Sequence, residues 1–310
     1  MAAVGVVAAL VAALPFVLRN QYYVGIAVFV GINAIVAIGL NLLMGYAGQV
    51  SLGHAAFMAL GAYTSAILTT RTELSPWLAM PAAVALASLI AAVIGVPTLR
   101  LHGHYLAMAT LGFGMIVSIV IKEWVSLTGG TSGLVDIPRL SLAGLALDSD
   151  TKYYYLVWAC VAASLLLSFN IVNSRVGRAL RAVHTSEVAA ATCGVNIART
   201  KLQVFVLSAA LAGLAGSLYA HYVQFVGPGH TFGFGFSIEL VVIVVFGGLA
   251  TIWGAVVGAG VVTVLGEYLR RVGDRDVVVF GIVLILLLVF MPRGLVDGLA
   301  SLTRRLQREP

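Results

Sequence analysis

The stretch NLLMGYAGQVSLGHAAF, residues 41–57, interrupts an apolar region with backbone breakers and hydrogen-bonding side chains. These breakers and polar residues are Asn41, Gly45, Gly48, Gln49, Ser51, Gly53 and His54. A glycine-rich break frees backbone N–H and C=O groups, and such groups are costly to place against lipid. How the stretch satisfies them depends on whether it lies in a membrane.

The composition is that of an integral membrane protein. Of the 310 residues, 61% are hydrophobic and 10% are charged, whereas soluble domains carry about 25% charged residues. Apolar segments of about 20 residues recur along the chain, which is the length of a membrane-spanning α-helix. The predicted fold is therefore all-α, a polytopic transmembrane helical bundle that forms one domain over residues 1–310.

Apolar tracts predict about 8 to 10 membrane segments, some of them broken or re-entrant. The tracts are residues 2–18, 23–43, 54–70, 77–99, 105–125, 153–172, 203–226, 236–269 and 276–291. The first lacks the basic flank of a signal peptide, so we expect an uncleaved helix. The tract 236–269 is long enough for two passes or a re-entrant hairpin, with a break near GGLATIWGA, residues 247–255.

The charges of the two largest loops predict the orientation. The loop of residues 173–202 has five cations against one acid, a net charge of +4, and the loop of residues 128–152 has two cations against three acids, a net charge of −1. By the positive-inside rule the first loop is cytoplasmic and the second periplasmic, and both termini are expected in the cytoplasm. Because the basic residues set topology, the net charge of +6 does not indicate a nucleic acid partner.

Two interpretations of residues 41–57 are open. Broken helices that line a polar cavity are a recurring device of transporters, and the polar residues would then line a substrate pathway. Alternatively, the glycines mark a tight turn between two spans, with Ser51 as a helix N-cap and His54 at the membrane surface. The two interpretations are compatible.

A second interruption lies in FGFGFSIELVVIVVFGGLATIWGAVVGAG, residues 232–260. Glu239 follows the start of its apolar run, and an ionisable group within a span indicates a functional site. The alternative is an interfacial acid satisfied by a helix N-terminus. The break itself is indicated by Gly247, Gly248, Thr251 and Gly254.

The segment of residues 174–209 is too polar to span a membrane. GRALRAVHTSEVAAATCG predicts an alanine-rich amphipathic helix, in which Glu187 is followed by alanines and Gly194 ends the helix. Such a helix between two spans suits docking onto a partner protein. The alternative is a basic helix that lies on the lipid headgroups of the membrane.

The sequence contains no set of residues typical of catalysis. The phosphate loop GxxxxGK[ST], the zinc motif HExxH, paired CxxC motifs and the GxSxG elbow are all missing from it. We therefore expect no enzyme activity and no cofactor bound by this chain. We interpret the histidine pairs as polar loop residues, with metal binding as the alternative for His102 with His104 and for His221 with His230.

Four signatures in order carry a resemblance over almost the whole chain. They are GLNLLMGYAGQVSLGHAAFMALGAYTSAIL at 39–68, TGGTSGL at 128–134, GRALRAVHTSEVAAATCGVNIARTKLQVFVLSAALAGLAGSLYA at 177–220 and SIELVVIVVFGGLATIWGAVVGA at 237–259. The chain resembles the LivM-type permease subunits of branched-chain amino acid ABC importers. The resemblance implies a multi-pass permease of the bacterial cytoplasmic membrane that translocates hydrophobic amino acids.

The same resemblance implies partners that supply the energy and the solute. They are a second, LivH-like permease subunit, two cytoplasmic LivG/LivF-like ATPase subunits that bind ATP and Mg, and a periplasmic solute-binding protein. The alternatives are the same architecture importing urea, short amides or other amino acids, or a stand-alone secondary transporter. The expected substrate pathway comprises Asn41, Gly45, Gly48, Gln49, Ser51, Gly53, His54, Glu239, Gly247, Gly248 and Thr251.

The family's permeases also carry a cytoplasmic coupling helix, the EAA-type loop, that contacts the ATPases. In this chain Val188 stands in place of the first alanine of that motif, and one extra residue precedes the glycine. The nearest match to the coupling residues comprises Gly177, Arg178, Arg181, Glu187, Ala189, Ala190 and Gly194.

Overall fold

The computed structural model describes residues 14–15, 20–142, 145–146, 149–229, 232–269 and 281. The predicted spans 2–18 and 276–291 lie outside the described residues, except for residues 14–15 and 281. The predicted positions of both termini and the histidine at position 230 lie outside them too.

The described residues are mainly helical. The helices are α1 (Gln21–Asn41), α2 (His54–Arg71), α3 (Pro76–Thr98), α4 (His104–Glu123), α5 (Val125–Thr128), α6 (Asp150–Asn173), α7 (Arg175–Thr185), α8 (Glu187–Thr192), α9 (Ile197–Val223), α10 (Phe234–Gly247) and α11 (Ile252–Leu269). A π turn, Leu42–Tyr46, continues α1, and a 3-10 turn covers Gly130–Ser132. Two short strands, β1 (Ser141–Leu142) and β2 (Leu145–Ala146), pair antiparallel before α6.

Six helices of the described part are long and apolar enough to cross a membrane: α1 with its π turn, α3, α4, α6, α9 and α11. Apart from the two short strands, this confirms the predicted helical, multi-pass membrane protein. Helix α10 has only 14 residues, and α2, predicted as a span, is not among the six. The predicted total of 8 to 10 segments therefore depends on these two shorter helices and on segments outside the described residues.

Helix α1 forms the centre of the bundle, with 94% of its apolar window buried. Helix α9 packs along α2 so closely that a Cβ on Gly61 would overlap the backbone of Gly213, and one on Gly216 would overlap that of Met58. Small residues of this kind let helices approach where apolar lipid gives no hydrophobic driving force. They hold α2 in a fixed position relative to α9.

Hydrogen bonds between helices set their relative directions. Tyr22 Oη donates to Glu267 Oε1 over 2.7 Å at one end of α1, and Asn41 Nδ2 donates to the Thr251 carbonyl over 2.6 Å at the other. Helices α1 and α11 are therefore antiparallel. We call the end of the bundle near Asn41, where α7 and α8 lie and α9 begins, the basic end, and the other end the opposite end.

The polar segment of residues 174–209, at the basic end, differs from its prediction in the number of its helices. The single helix expected there is two helices, α7 and α8, because Ser186 ends one and caps the next by accepting from the Ala189 N–H at 3.3 Å. Gly194 follows α8 with φ +80°, as expected for a helix stop. The loop predicted to reach residue 202 ends earlier, since α9 begins at Ile197, and Lys201 is a buried residue of that helix.

Candidate functional site

The first break is a segment at which the chain turns back within the bundle. Both Gly39 and His54 meet Ser208 of α9: a Cβ on Gly39 would lie 3.1 Å from the Ser208 carbonyl oxygen, and His54 Nε2 lies 2.5 Å from Ser208 Oγ. Between these two residues the chain continues through the π turn to Tyr46, roughly 10 Å further at the rise of a helix. It then returns through the non-helical residues 47–53.

The return segment is held by buried polar contacts. Ser51 Oγ lies 3.0 Å from His54 Nδ1, and both residues are 1% exposed. The Leu52 N–H donates to Thr110 Oγ1 on α4 at 3.0 Å. The tight-turn interpretation is therefore wrong in two details, because His54 is not at the surface and Gly53, not Ser51, occupies the N-cap position of α2.

Gln49 is the least satisfied polar residue of this segment. It is 3% exposed, and neither its Oε1 nor its Nε2 has a hydrogen-bond partner among the described residues. A buried amide without a partner costs about 1–3 kcal/mol for each unsatisfied group. Native proteins retain few such groups, and one that is retained can serve to bind a polar ligand.

The second break lies where the sequence predicted it, within residues 247–255. Helix α10 ends at Gly247 and α11 begins at Ile252. Gly248 has φ +114° and Ala250 has φ +59°, while Thr251 Oγ1 donates to the Gly248 carbonyl at 2.7 Å. Glu239 is half-buried in α10, and its role in a pathway stays a prediction.

Asn41 joins the two breaks. Its Nδ2 donates to the Thr251 carbonyl at 2.6 Å, and its Oδ1 accepts from the Ala250 N–H at 3.0 Å. A Cβ on Gly45 would lie 2.9 Å from the Ala250 Cα. The Asn41 side chain, at the first break, thus satisfies two backbone groups that the second break leaves free. Asn41 is buried, with 2% of its surface exposed.

The starts of the two shorter helices also meet. The Ala55 N–H, in the first turn of α2, donates to Ser237 Oγ, in the first turn of α10, at 3.2 Å. Helix N-termini carry partial positive charge from their free N–H groups. Two such ends inside one bundle form an environment that favours the negatively charged part of a solute.

A cleft of about 660 Å³ lies at the basic end, next to the joined breaks. Its lining comes from the π turn, the end of α6, α7 and the turn between α10 and α11, and comprises Gly45, Tyr46, Val172, Arg181, His184, Thr185 and Ala250. Next to it, a Cβ on Gly48 would lie 2.9 Å from His184 Cδ2. The first break is therefore in direct contact with α7.

Glu187 makes its contacts within the chain. Lys201 Nζ donates to Glu187 Oε1 at 2.6 Å, and His102 Nε2 lies 3.2 Å from Glu187 Oε2. Burial raises the pKa of the Glu187 carboxyl, but the hydrogen bond and charge of Lys201 and the charge of His102 outweigh it, so the pKa lies below its ordinary value. His102, interpreted from the sequence as a plain loop residue, thus links the α3–α4 loop to α8.

The predicted coupling residues differ in their exposure. Gly177 and Ala190 are buried, and a Cβ on Gly177 would overlap the end of α6. Glu187 is half-buried, and Arg181, although exposed, lines the cleft. We call the other exposed coupling residues, together with Val188, whose exposure is 78%, the docking face, which comprises Arg178, Val188, Ala189 and Gly194.

A set of buried, hydrogen-bonded side chains was not predicted from the sequence. His221, expected beside a polar turn, is a fully buried residue of α9. Its Nδ1 donates to the Pro138 carbonyl at 2.7 Å, so its Nε2 accepts from Ser65 Oγ at 2.8 Å, and Ser217 Oγ donates to Ser65. The spacing of Ser217 and His221 on one helical face was the signal available.

The described residues contain no group of three or more histidine, cysteine or acidic side chains that could hold a metal ion. Cys160 and Cys193 are free thiols in the structure. The arrangement is therefore one of buried hydrogen-bonding groups around two helix breaks.

Comparisons with known proteins agree with this picture. The family model described as branched-chain amino acid transport system / permease component matches residues 22–292. The high-affinity branched-chain amino acid transport system permease protein LivM is 33% identical in Salmonella typhimurium and 34% identical in Escherichia coli K12, each over 77% of this chain and 61% of the relative. The permease protein LivH of Salmonella typhimurium is 31% identical over 58% of this chain and 60% of its own length.

The chain thus spans about three fifths of the length of these relatives. No solved structure matches it.

Proposed function

The chain belongs to the family of permease components of branched-chain amino acid transport systems, and from this premise we propose that it is the transmembrane permease subunit of an ABC importer. Its solutes are branched-chain, hydrophobic amino acids, and its location is the bacterial cytoplasmic membrane. The observation that carries the proposal is the hydrogen-bonded union of two helix breaks by Asn41 inside a buried bundle. Backbone breaks at such a depth require protein or water as neighbours.

The proposed substrate pathway follows the two breaks. Gln49 supplies a buried amide without a partner among the described residues. Further along the same segment Ser51 contacts His54, which contacts Ser208 of α9. The first turns of α2 and α10 add partial positive charge. A solute that moves past these groups can replace the missing partners of Gln49.

The proposed partners are a second permease subunit, two ATPase subunits that bind ATP and Mg, and a periplasmic solute-binding protein. In this proposal the basic end faces the cytoplasm, residues 128–152 face the periplasm and both termini are cytoplasmic. The docking face would contact an ATPase subunit, since Val188 offers exposed apolar area and Arg178 an exposed positive charge. This chain binds neither ATP nor Mg itself.

The contact between Gly48 and His184 supports a route for coupling. Helix α7 belongs to the same segment as the docking face, and its His184 lies against the first break. A displacement of α7 by the ATPase would therefore move residues 47–53. Because packed elements change between discrete arrangements, such a displacement can open or close a pathway.

Reconstitution tests the proposed function. Proteoliposomes that contain this chain with the second permease and both ATPases should accumulate L-leucine when the binding protein and ATP are present. Uptake should stop with a non-hydrolysable ATP analogue. Uptake by this chain alone, without nucleotide, would overturn the proposal in favour of a secondary transporter.

A further inference from the structure

The cleft at the basic end has an electropositive lining. Of its seven lining residues, Arg181 carries a fixed positive charge, His184 adds an imidazole, and Tyr46 and Thr185 add hydroxyl groups. None of these lining residues is acidic. An arginine guanidinium presents paired N–H groups that match the two oxygens of a carboxylate.

One helix end borders the same cleft. The π turn that continues α1 ends at Tyr46, and both Gly45 and Tyr46 belong to the lining. The last carbonyls of a helix lack internal partners and carry partial negative charge. Such carbonyls favour a cation, as they do in other transporters with discontinuous helices.

The position of the cleft connects it with the joined breaks. Ala250 belongs both to the lining and to the turn that Asn41 holds, and Gly45 touches it from the π turn. The walls come from the π turn, the end of α6, α7 and the turn between α10 and α11. Its volume of about 660 Å³ is within the usual range of small-ligand pockets.

We infer that this cleft binds the solute as an α-amino acid zwitterion, with Arg181 contacting its carboxylate and the end of the π turn contacting its ammonium group. The inference rests on the proposed function and adds to it the site that recognises the solute's charges, because urea and short amides carry neither charge. Arg181, expected from the sequence to couple to the ATPases, then becomes a specificity-determining residue of the inner mouth of the pathway.

Direct binding to the full chain in lipid nanodiscs tests the inference. The probes are L-leucine, L-leucinamide, which lacks the carboxylate, and 4-methylpentanoate, which lacks the ammonium group. The variants are Arg181→Gln, Arg181→Lys and the matched control Arg175→Gln, an exposed arginine of the same helix outside both the cleft lining and the docking face. The amount of inserted protein is measured for each.

We expect Arg181→Gln to weaken L-leucine binding by roughly tenfold or more, the effect of losing a charge-assisted hydrogen bond. Arg181→Lys should have a smaller effect, and Arg175→Gln none. L-leucinamide should bind the wild-type chain weakly, and Arg181→Gln should not change its affinity. The inference is overturned if the two glutamine variants weaken L-leucine binding equally, or if Arg181→Gln weakens the binding of L-leucine and L-leucinamide equally. It is also overturned if the wild-type chain does not bind L-leucine.

Uptake by the reconstituted complex separates this inference from the proposed function. If the wild-type complex accumulates L-leucine and the Arg181→Gln variant binds and transports it normally, the cleft inference fails while the proposed function stands. If the wild-type complex transports no amino acid with ATP and binding protein present, the proposed function fails.

Discussion

The Asn41 side chain holds the main chain on both sides of the Ala250–Thr251 peptide bond, donating to the Thr251 carbonyl and accepting the Ala250 N–H. Two peptide groups freed by the second break are thereby satisfied by a residue 209 positions away. Because Asn41 is buried, water cannot take over these bonds. The two breaks consequently form one structural unit.

Replacing Asn41 with leucine should destabilise this unit. Asn41→Leu leaves the Ala250 N–H and the Thr251 carbonyl unsatisfied, and we expect a loss of about 2–5 kcal/mol together with loss of uptake. The matched control is Asn33→Leu, since Asn33 lies on the same helix and donates one side-chain bond, to Thr263. Thermal unfolding in detergent and L-leucine uptake are measured; equal losses in the two variants would contradict the prediction.

Replacing Gln49 with leucine should separate stability from transport. Since the Gln49 amide has no protein partner in the described part of the chain, Gln49→Leu removes a desolvation cost and should leave the unfolding temperature equal or higher. Uptake should fall by about tenfold, the effect of one lost hydrogen bond to a solute.

The control for Gln49 is Ser168→Ala. Ser168 Oγ on α6 is likewise buried without a described partner, but it lies away from both breaks in the chain, so uptake should be unchanged. Normal uptake by Gln49→Leu would remove this residue from the pathway.

The sequence predicted the two breaks because clustered glycines weaken a helix through their backbone freedom, even inside an apolar tract. The start of the second break followed from Gly247 and Gly248, and Gly248 has a positive φ of +114°. Its predicted end was wrong, because Gly254, expected within the break, lies in α11. The union of the breaks was not predictable, because nothing local to Asn41 indicates a partner 209 residues further along the chain. Contacts of this kind depend on how helices pack, and pattern analysis cannot supply that.

The internal partners of Glu187 escaped prediction for a similar reason. Lys201 was counted as a loop cation, whereas α9 begins early enough to bury its side chain against Glu187. Likewise, His221 reads as a polar residue near a turn, yet the length of α9 buries it. Helix boundaries uncertain by a few residues decide such assignments.

Substituting Gly48 with alanine should impair coupling. At φ +68° an alanine is strained by about 1 kcal/mol, and its Cβ would lie 2.9 Å from His184 Cδ2. We expect Gly48→Ala to retain ATPase activity in the assembled complex while uptake falls. Both activities are measured on the same proteoliposomes.

Gly103→Ala is the matched control for Gly48. Gly103 has a similar φ of +58°, but nothing lies within 4 Å of an added Cβ, so this variant carries the strain without the contact. Adding His184→Ala to Gly48→Ala should restore part of the uptake. If Gly103→Ala uncouples equally and the double variant shows no recovery, the contact has no role in coupling.

The stabilising effect of the Glu187–Lys201 pair should depend on pH. Because the pKa of Glu187 is lowered in the folded protein, the pair stabilises at neutral pH, and this stabilisation is lost as the pH falls through the folded-state pKa. Glu187→Gln should therefore lower the unfolding temperature at about pH 7 and have less effect near pH 3.5. At about pH 7, a double-mutant cycle with Lys201→Met should give a coupling energy of about 1 kcal/mol between the two side chains. A difference that is constant between these pH values would contradict the assignment.

Placing a charge at Val188 tests the docking face without disturbing the fold. Val188 is 78% exposed, and exposed substitutions usually change stability by less than about 0.5 kcal/mol. A buried carboxylate in an apolar contact is costly, so Val188→Asp should prevent assembly with the ATPase subunits and abolish uptake at unchanged unfolding temperature. Val176→Asp, at an exposed valine of α7 outside the docking face, should assemble normally. Co-purification of the subunits measures the outcome, and full assembly of Val188→Asp would place the ATPase contact elsewhere on the chain.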